Sequence, residues 1–437
     1  MDSGITEISN VLLFPGVRDG QALGLVRHAS VWVRDGRFIY AGAEENAPSM
    51  KADRMINGGG MLLMPALVNA HAHSAMTLLR GTGADLPLKS WLYDVIFPLE
   101  ARLTARAAKT GIELAMMEYL RCGVTCVNDM YMFPEQTALT MGKAGMRAMI
   151  SNACVEFGRG KEQLENALLF FRDHHKSFDG RIRASVSVHA EYTSTPELVG
   201  QLVRACDGLD NVAHVHLSET EHEVRECYGR HGKSPVRYFH DLGLFSMPAI
   251  AAHCVAVDDE DLRILSDDGV TVALNPVSNL KLGSGVAPVN AMLSHGIRIA
   301  LGTDGAASND NLDMFEEIKL TGILDKGIHH DPTLIPPARV FEAATLSGAK
   351  AMGFDDLGLI LEGWQADCVL LDLDMPNLLP RADIPSALVY AARGENVRMT
   401  MAQGSVLYTD GEYLTINGER VRREAKEAAE ELRGPLD

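Results

Sequence analysis

Long apolar runs are missing from this chain of 437 residues. A membrane-spanning helix needs about 18 consecutive apolar residues, and no such stretch occurs. Between Met1 and Pro15, acidic and polar residues stand where a secretory leader needs a basic start and an apolar core, so no leader is expected there. Basic charge is also in short supply. Against 58 Asp and Glu there are 40 Lys and Arg, the formal net charge is −18, and the basic residues are dispersed except between Arg420 and Lys426. Such a surface offers no stripe to neutralise phosphates, which argues against nucleic acid or an anionic membrane as a partner. Cysteines are few and unpatterned, seven in all with no CxxC pair, which suits reduced thiols in a soluble cytoplasmic protein. Internal repeats and low-complexity tracts are missing as well.

Apolar residues make up 46% of the chain, enough for a sizeable core. From Leu62 onward, short β-branched apolar runs alternate with helical patterns, the sequence sign of parallel strands joined by crossover helices. Eight runs stand out: Leu62–Asn69, Val124–Asn128, Arg147–Ser151, Ile182–Val188, Val212–His216, Ala249–Ala252, Val270–Leu274 and Ile299–Leu301. Helical stretches such as Thr104–Arg121 and Asp258–Ser266 lie between them. This order predicts an α/β fold, a (β/α)8 TIM-type barrel over residues 62–358. The flanks differ. Ala29–Val33, the turn Asp35-Gly36-Arg37 and Phe38–Ala41 make a hairpin pattern, and Asp367–Leu373, Met399–Ala402 and Val406–Thr409 return to that style. Neither end buries a core alone, so residues 1–61 and 359–437 are expected to pair into one small β-sandwich domain. Gly418 to Arg433 reads as a charged amphipathic helix packed on one face.

His71-Ala-His73 follows the first barrel run, and residues i and i+2 of an extended segment point the same way, so both imidazoles reach one ion. Alone, that spacing is as often incidental as metal-binding. The positions of the other candidates change the reading. His189 ends the fourth run, His216 the fifth and His253 the sixth, and Asp304 follows Gly302-Thr303 at the end of the eighth. All therefore project to the C-terminal mouth, where barrel enzymes place their active sites. The fourth run ends Ser187-Val188-His189 without the lysine that a two-metal centre commonly bridges with, so one metal is expected. Three imidazoles and a carboxylate, from His71, His73, His216 and Asp304, suit zinc and leave a position for water, with iron(II) or manganese as alternatives. Glu219, three residues past His216, sits where a carboxylate reaches that water and a ring nitrogen of a substrate. Its bland reading is an acidic residue complementing a helix N-terminus.

These residues lie in Met64-Pro65-Ala66-Leu67-Val68-Asn69-Ala70-His71-Ala72-His73, His216-Leu-Ser-Glu219, Ala252-His253-Cys254, Asn275-Pro276-Val277-Ser278-Asn279-Leu280-Lys281-Leu282-Gly283 and Gly302-Thr303-Asp304-Gly305-Ala306-Ala307-Ser308. Together they resemble the amidohydrolase superfamily and, within it, the 5-methylthioadenosine/S-adenosylhomocysteine deaminases, over nearly the whole chain. The resemblance implies hydrolytic removal of the 6-amino group from a small adenosine-type substrate: 5'-methylthioadenosine, S-adenosylhomocysteine, 5'-deoxyadenosine or adenosine. It implies metal ligation by His71, His73, His216 and Asp304, and proton handling and water orientation by Glu219 and His253. His189 matches a histidine that contacts the nucleoside. Trp91 and Glu100, in the long loop Gly83–Glu100, match an aromatic that lines the pocket and a carboxylate that holds ribose hydroxyls. A homo-oligomer is the family-level expectation.

One departure bears on the substrate. Where relatives place arginines for the carboxylate of a homocysteine tail, this chain has Ser151-Asn152-Ala153 and Phe157-Gly158-Arg159-Gly160-Lys161. Asn152 supplies no cation, and Arg159 or Lys161 would have to reach from the loop, with a solvated surface charge as the plainer reading of either. S-adenosylhomocysteine is therefore the weakest expectation of the four. Two other readings stay open. One keeps fold and metal but acts on a free base or triazine, and the other is a metal-binding scaffold without catalysis.

Overall fold

The computed structural model describes residues 4–381 and 383–434. Eight parallel strands form the barrel: β1 (Leu67–His73), β2 (Val124–Met130), β3 (Arg147–Cys154), β4 (Ile182–Val188), β5 (Ala213–Leu217), β6 (Ala249–His253), β7 (Thr271–Leu274) and β8 (Ile299–Leu301). The helices between them begin where the sequence supplies caps. Thr104 Oγ1 accepts from Ala107 N at the start of Ala105–Arg121, and Asp258 accepts from Glu260 N and Asp261 N at the start of Asp259–Asp267. Among the described residues, no helix is long and apolar enough to cross a membrane.

Two joins of the barrel rely on side chains. Between β4 and β5, Asn211 bonds both to Val186 N (2.8 Å) and to Val186 O (2.9 Å), Ser185 Oγ donates to Val212 O (2.5 Å), and Ser187 Oγ accepts from His214 N (2.9 Å). Between the last strand and the first, Asp304–Gly305 continue from β8 and pair with Ala72 and His73 of β1. Asn69 stitches the same join, donating to Thr303 Oγ1 at 2.7 Å and accepting from Thr303 N at 3.1 Å. Gly302 has no room for a side chain there, because a Cβ would lie 2.7 Å from both the N and the O of His71.

Both chain ends contribute to one nine-stranded sheet, running from the C-terminal hairpin through Cys368–Leu371, Leu62–Pro65, Thr6–Leu13 and Val26–Arg34 to Arg37–Ala43. It is a single sheet where a sandwich of two was expected. It curls until Ala366 N donates to Gly36 O (2.8 Å) and Phe38 N to Trp364 O (2.9 Å), enclosing Ile8, Val31, Phe38, Cys368 and Met401. The run Leu62–Asn69 also divides. Leu62–Pro65 pairs with Cys368–Leu371, and the barrel begins at Leu67. Proline at position 65 has no N–H to continue a ladder, and the chain changes sheets just beyond it.

Under the barrel, away from the mouth, Arg147 is buried at the start of β3. Its Nε lies 3.2 and 3.1 Å from the two carboxylate oxygens of Asp367, and its Nη2 donates to Gln365 Oε1 at 2.8 Å. This pair ties the barrel floor to the curled sheet. Removing one partner strands a buried charge, which typically costs about 3–5 kcal/mol. Asp367→Ala is therefore expected to lower the unfolding free energy by that amount, read from denaturant titration.

Candidate active site

Parallel register brings the distant candidates to one rim. Leu217 pairs with His253 across β5 and β6, and Asp304 with Ala72 across the closing join. His253, Asp304 and Ser218 all adopt positive φ (76°, 58° and 49°), a conformation uncommon for residues with a Cβ and one that clusters where side chains are held for function. His71 is fully buried, and His216, His253, Glu219 and Asp304 are nearly so.

The second nitrogen of each imidazole decides what the first presents. His73 Nδ1 contacts Met130 O, and His216 Nδ1 lies 3.0 Å from His189 O. Carbonyls only accept, so both Nδ1 atoms carry protons and a neutral ring leaves a lone pair on Nε2. These two Nε2 atoms are 3.3 Å apart, and Asp304 Oδ1 is 3.1 Å from His73 Nε2 and 3.3 Å from His71 Nε2. His71 Nε2 is buried without a hydrogen-bond partner. Lone pairs and a carboxylate at such separations repel unless positive charge sits among them. A proton can supply that charge. Burial disfavours a charged His73, yet its hydrogen bond to Asp304, the charge of Asp304 and the Met130 carbonyl together raise its pKa to about 8. A divalent cation would supply it too, since His71, His73 and Asp304 form one group of donor atoms near enough to share an ion, and His71, His216 and His253 another.

His253 is different. Asn279 Nδ2 (2.9 Å) and Asn275 Nδ2 (3.3 Å) both donate to its Nδ1, and Asn275 is held in that orientation by its contact with Ala273 O at 3.2 Å. His253 Nε2 therefore bears hydrogen and faces the rim as a donor, 4.0 Å from Glu219 Oε2. Asp304 uses its outer oxygen otherwise, accepting from Ser278 Oγ (2.6 Å) and Ser308 Oγ (2.9 Å), which leaves Oδ1 to face the histidines. Burial, and then the charge of Asp304, push the Glu219 carboxyl up to about 8.

A cavity of about 710 Å³ opens above these groups. Trp91, Glu100, His189, Glu219, His253 and Asp304 all line it. The expected loop 83–100 is instead three short helical turns, Leu88–Ser90, Trp91–Ile96 and Phe97–Glu100. Apolar residues spaced three and four apart (Leu88, Trp91, Leu92, Ile96, Leu99) explain the difference. Burial raises the Glu100 pKa. Arg159 also lines the cavity, but its Nε and Nη2 both bond to Glu162, at 3.1 and 2.8 Å, and the side chain is 67% exposed.

A model of the amidohydrolase family matches residues 62–407. The chain belongs to this family. Among other amidohydrolases, it is 41% identical over 383 residues to the 5-methylthioadenosine/S-adenosylhomocysteine deaminase of Dictyoglomus thermophilum, covering 87% of this chain and 90% of that one. To the 5'-deoxyadenosine deaminase of Methanothermobacter thermautotrophicus it is 40% identical over 414 residues, covering 94% and 96%. A crystal structure of an adenosine deaminase from Xanthomonas campestris with bound zinc superposes with a TM-score of 0.91 at 31% identity, covering 98% and 99%.

Some amidohydrolase site residues escaped the sequence reading. His214 lies two residues before His216 on β5, and its Nε2 is 2.8 Å from His71 Nδ1. From there a one-way chain runs on: His214 Nδ1 to Ser151 Oγ (3.0 Å), Ser151 Oγ to Asn128 Oδ1 (3.4 Å) and Asn128 Nδ2 to Ala70 O (2.9 Å). It fixes the His71 tautomer with Nε2 as the lone-pair nitrogen. Glu223 was missed too. Its two carboxylate oxygens accept from Ser218 N (3.1 Å) and Glu219 N (2.7 Å), clamping the turn that presents Glu219. The His-x-His spacing on a strand was a usable sign for His214, whereas Glu223 reads as an ordinary residue of a helix first turn. Losing an outer-shell partner of this kind typically lowers metal affinity about 10–100-fold. His214→Phe is expected to do so, measured as zinc retained against a competing chelator.

Proposed function

We propose that this amidohydrolase is a zinc-dependent hydrolytic deaminase of small adenosine derivatives, releasing the 6-amino group as ammonia. The reading rests chiefly on one observation, the gathering at one rim of His71, His73 and Asp304 as one potential ligand group, with His216 Nε2 3.3 Å from His73 Nε2, beside His253 and a buried Glu219. Around a zinc ion with bonds of ~2.0–2.1 Å, adjacent donors sit about 2.9–3.4 Å apart, and three donor pairs fall in that range: His73–Asp304 at 3.1 Å, His71–Asp304 at 3.3 Å and His73–His216 at 3.3 Å. No lysine lines the cavity among the described residues, which favours a single ion. The deaminase relatives and the zinc-bound neighbour support the same assignment.

His71, His73, His216 and Asp304 would hold the zinc ion, which would supply the Lewis acidity that brings the ionisation of water to a pKa of about 7. The chain's own groups then direct the protons. Glu219, its pKa lifted to about 8, takes up the proton that the ionising water releases and delivers it to purine N1 as oxygen adds to C6. Negative charge therefore does not build up on the ring. His253 donates from Nε2 and holds the attacking oxygen in line. Asp304 takes the remaining hydroxyl proton and passes it to the departing amine. The bond from C6 to oxygen forms and the bond from C6 to nitrogen breaks. One water proton ends on N1 and the other on ammonia. His189, Trp91 and Glu100 are assigned to the nucleoside, with Glu100 on the ribose hydroxyls, because a free base or triazine offers that half-buried carboxylate no hydroxyl to hold.

Glu219→Gln is expected to lower kcat on the order of 10²–10⁴-fold with zinc content unchanged. A near-normal rate at full metal content would contradict the assignment.

Substrate choice follows from the cavity wall. Arg159 is the one arginine or lysine lining it among the described residues, and Glu162 occupies its guanidinium. Asn152, Val155 and Phe157 complete that side without a cation. Catalytic efficiency is therefore expected to be higher for 5'-deoxyadenosine and 5'-methylthioadenosine than for S-adenosylhomocysteine, measured as ammonia release across the panel. A preference for the homocysteine derivative would show that a cation reaches its carboxylate after all.

A further inference from the structure

The helical turns between Gly81 and Ala101 roof the cavity through Leu88, Trp91, Ile96, Phe97 and Glu100. The first foot of this segment is a turn, with Gly81, Gly83 and Asp85 at φ of 70°, 69° and 62°, and Gly81 N donates to Asp310 Oδ1 at 3.0 Å. Its far side is held to the rim by Lys89, 3.3 Å from Glu226, in an exposed pair of the kind that contributes little. Both feet meet the last turn of the C-terminal helix, Gly418–Arg433. Arg433 Nη1 donates to Arg80 O at 3.1 Å, and Arg102 Nη2 donates to Glu431 O at 2.9 Å.

The second contact has a clear physical basis. The last four carbonyls of a helix lack intrahelical partners and carry the negative end of its dipole, so a guanidinium is a favourable donor there. The helix itself is anchored independently of the roof. Val421, Ala425, Ala428 and Leu432 bury one face, and Arg420 Nη2 lies 2.8 Å from Glu113 on Ala105–Arg121. One rigid element thus grips both ends of a segment that carries Trp91 and Glu100.

We propose that Arg102 and Arg433 are positioning residues, through which the C-terminal helix clamps the two feet of the cavity roof and so sets substrate affinity from outside the active site. The consequence for affinity rests on the proposed substrate site, whereas the clamp itself does not.

The test uses the full chain with Arg102→Met and Arg433→Met, singly and together, which keep the side-chain stems and remove the donors. Amide hydrogen exchange across residues 88–100 is measured without substrate, and KM and kcat with 5'-methylthioadenosine. Losing hydrogen bonds from charged donors is expected to speed exchange in the roof roughly tenfold in the double variant, leaving the barrel strands unchanged. KM should rise by roughly the same factor with kcat within twofold, and Arg102→Lys should restore most of the protection. Unchanged exchange at 88–100 in the double variant would overturn the proposal. So would faster exchange spreading through Ala105–Arg121, since that marks loss of helix packing and not of the clamp. Faster roof exchange in a protein that turns over no adenosine derivative would uphold the clamp and refute the deaminase reading.

Discussion

Three imidazoles aim lone pairs at one point only if their other nitrogens are already committed, and this constraint governs the site. The commitments come from neighbouring strands. Met130 at the end of β2 holds His73, the carbonyl of His189 after β4 holds His216, and His214 on β5 holds His71. None of these partners is close in sequence to the histidine it fixes. Barrel register therefore determines tautomers, and tautomers determine whether the rim presents lone pairs or hydrogens. The closing join matters for the same reason. Asn69 and Thr303 lock β1 to the segment carrying Asp304, and Gly302 lets the two backbones approach without a side chain between them.

The loop after β8 repeats this logic with carboxylates. Glu317 is buried, accepts from Asn309 Nδ2 at 2.6 Å and from Val277 N at 3.2 Å, and so joins the turn bearing Ser308 to the helix bearing Ser278. Those two hydroxyls saturate one oxygen of Asp304 and direct the other inward. A buried acid whose acceptor sites are filled by backbone N–H and amide donors acts as a spacer of fixed length, which is also how Glu223 serves Glu219.

Much of this arrangement was legible in the sequence, and the illegible parts share a cause. The alternation of apolar runs and helical patterns marks all eight barrel strands, and the positions of His189, His216, His253 and Asp304 at strand ends mark the functional rim. Period and position are local properties, so a linear chain displays them. The change of sheets near Pro65 falls inside one continuous apolar run, where nothing in the pattern separates four residues of a curled sheet from the first barrel strand. Glu223, Asn275 and Asn279 are ordinary polar residues until the fold sets each within 3.3 Å of a functional group. The C-terminal helix shows its amphipathic face in sequence, but its grip on Arg80 and Arg102 involves carbonyls and guanidinium groups that no periodicity marks.

The two carboxyls nearest the histidines show why residue type alone does not assign roles. Asp304 and Glu219 are both buried at the rim. Burial opposes ionisation of each, but for Asp304 the neighbouring imidazoles of His71 and His73 outweigh it and hold the group well below the usual carboxylate range. Glu219 has one hydroxyl contact, with Ser284 at 3.2 Å, and sits in the negative field of Asp304, so burial prevails and its affinity for a proton rises. The more acidic member is the one aimed at His71 and His73, and the less acidic member is the one beside His253. Opposite shifts on adjacent carboxyls divide acid from base within one small volume. The division arises from which neighbour each side chain faces, and hence from the same strand register that gathers the imidazoles.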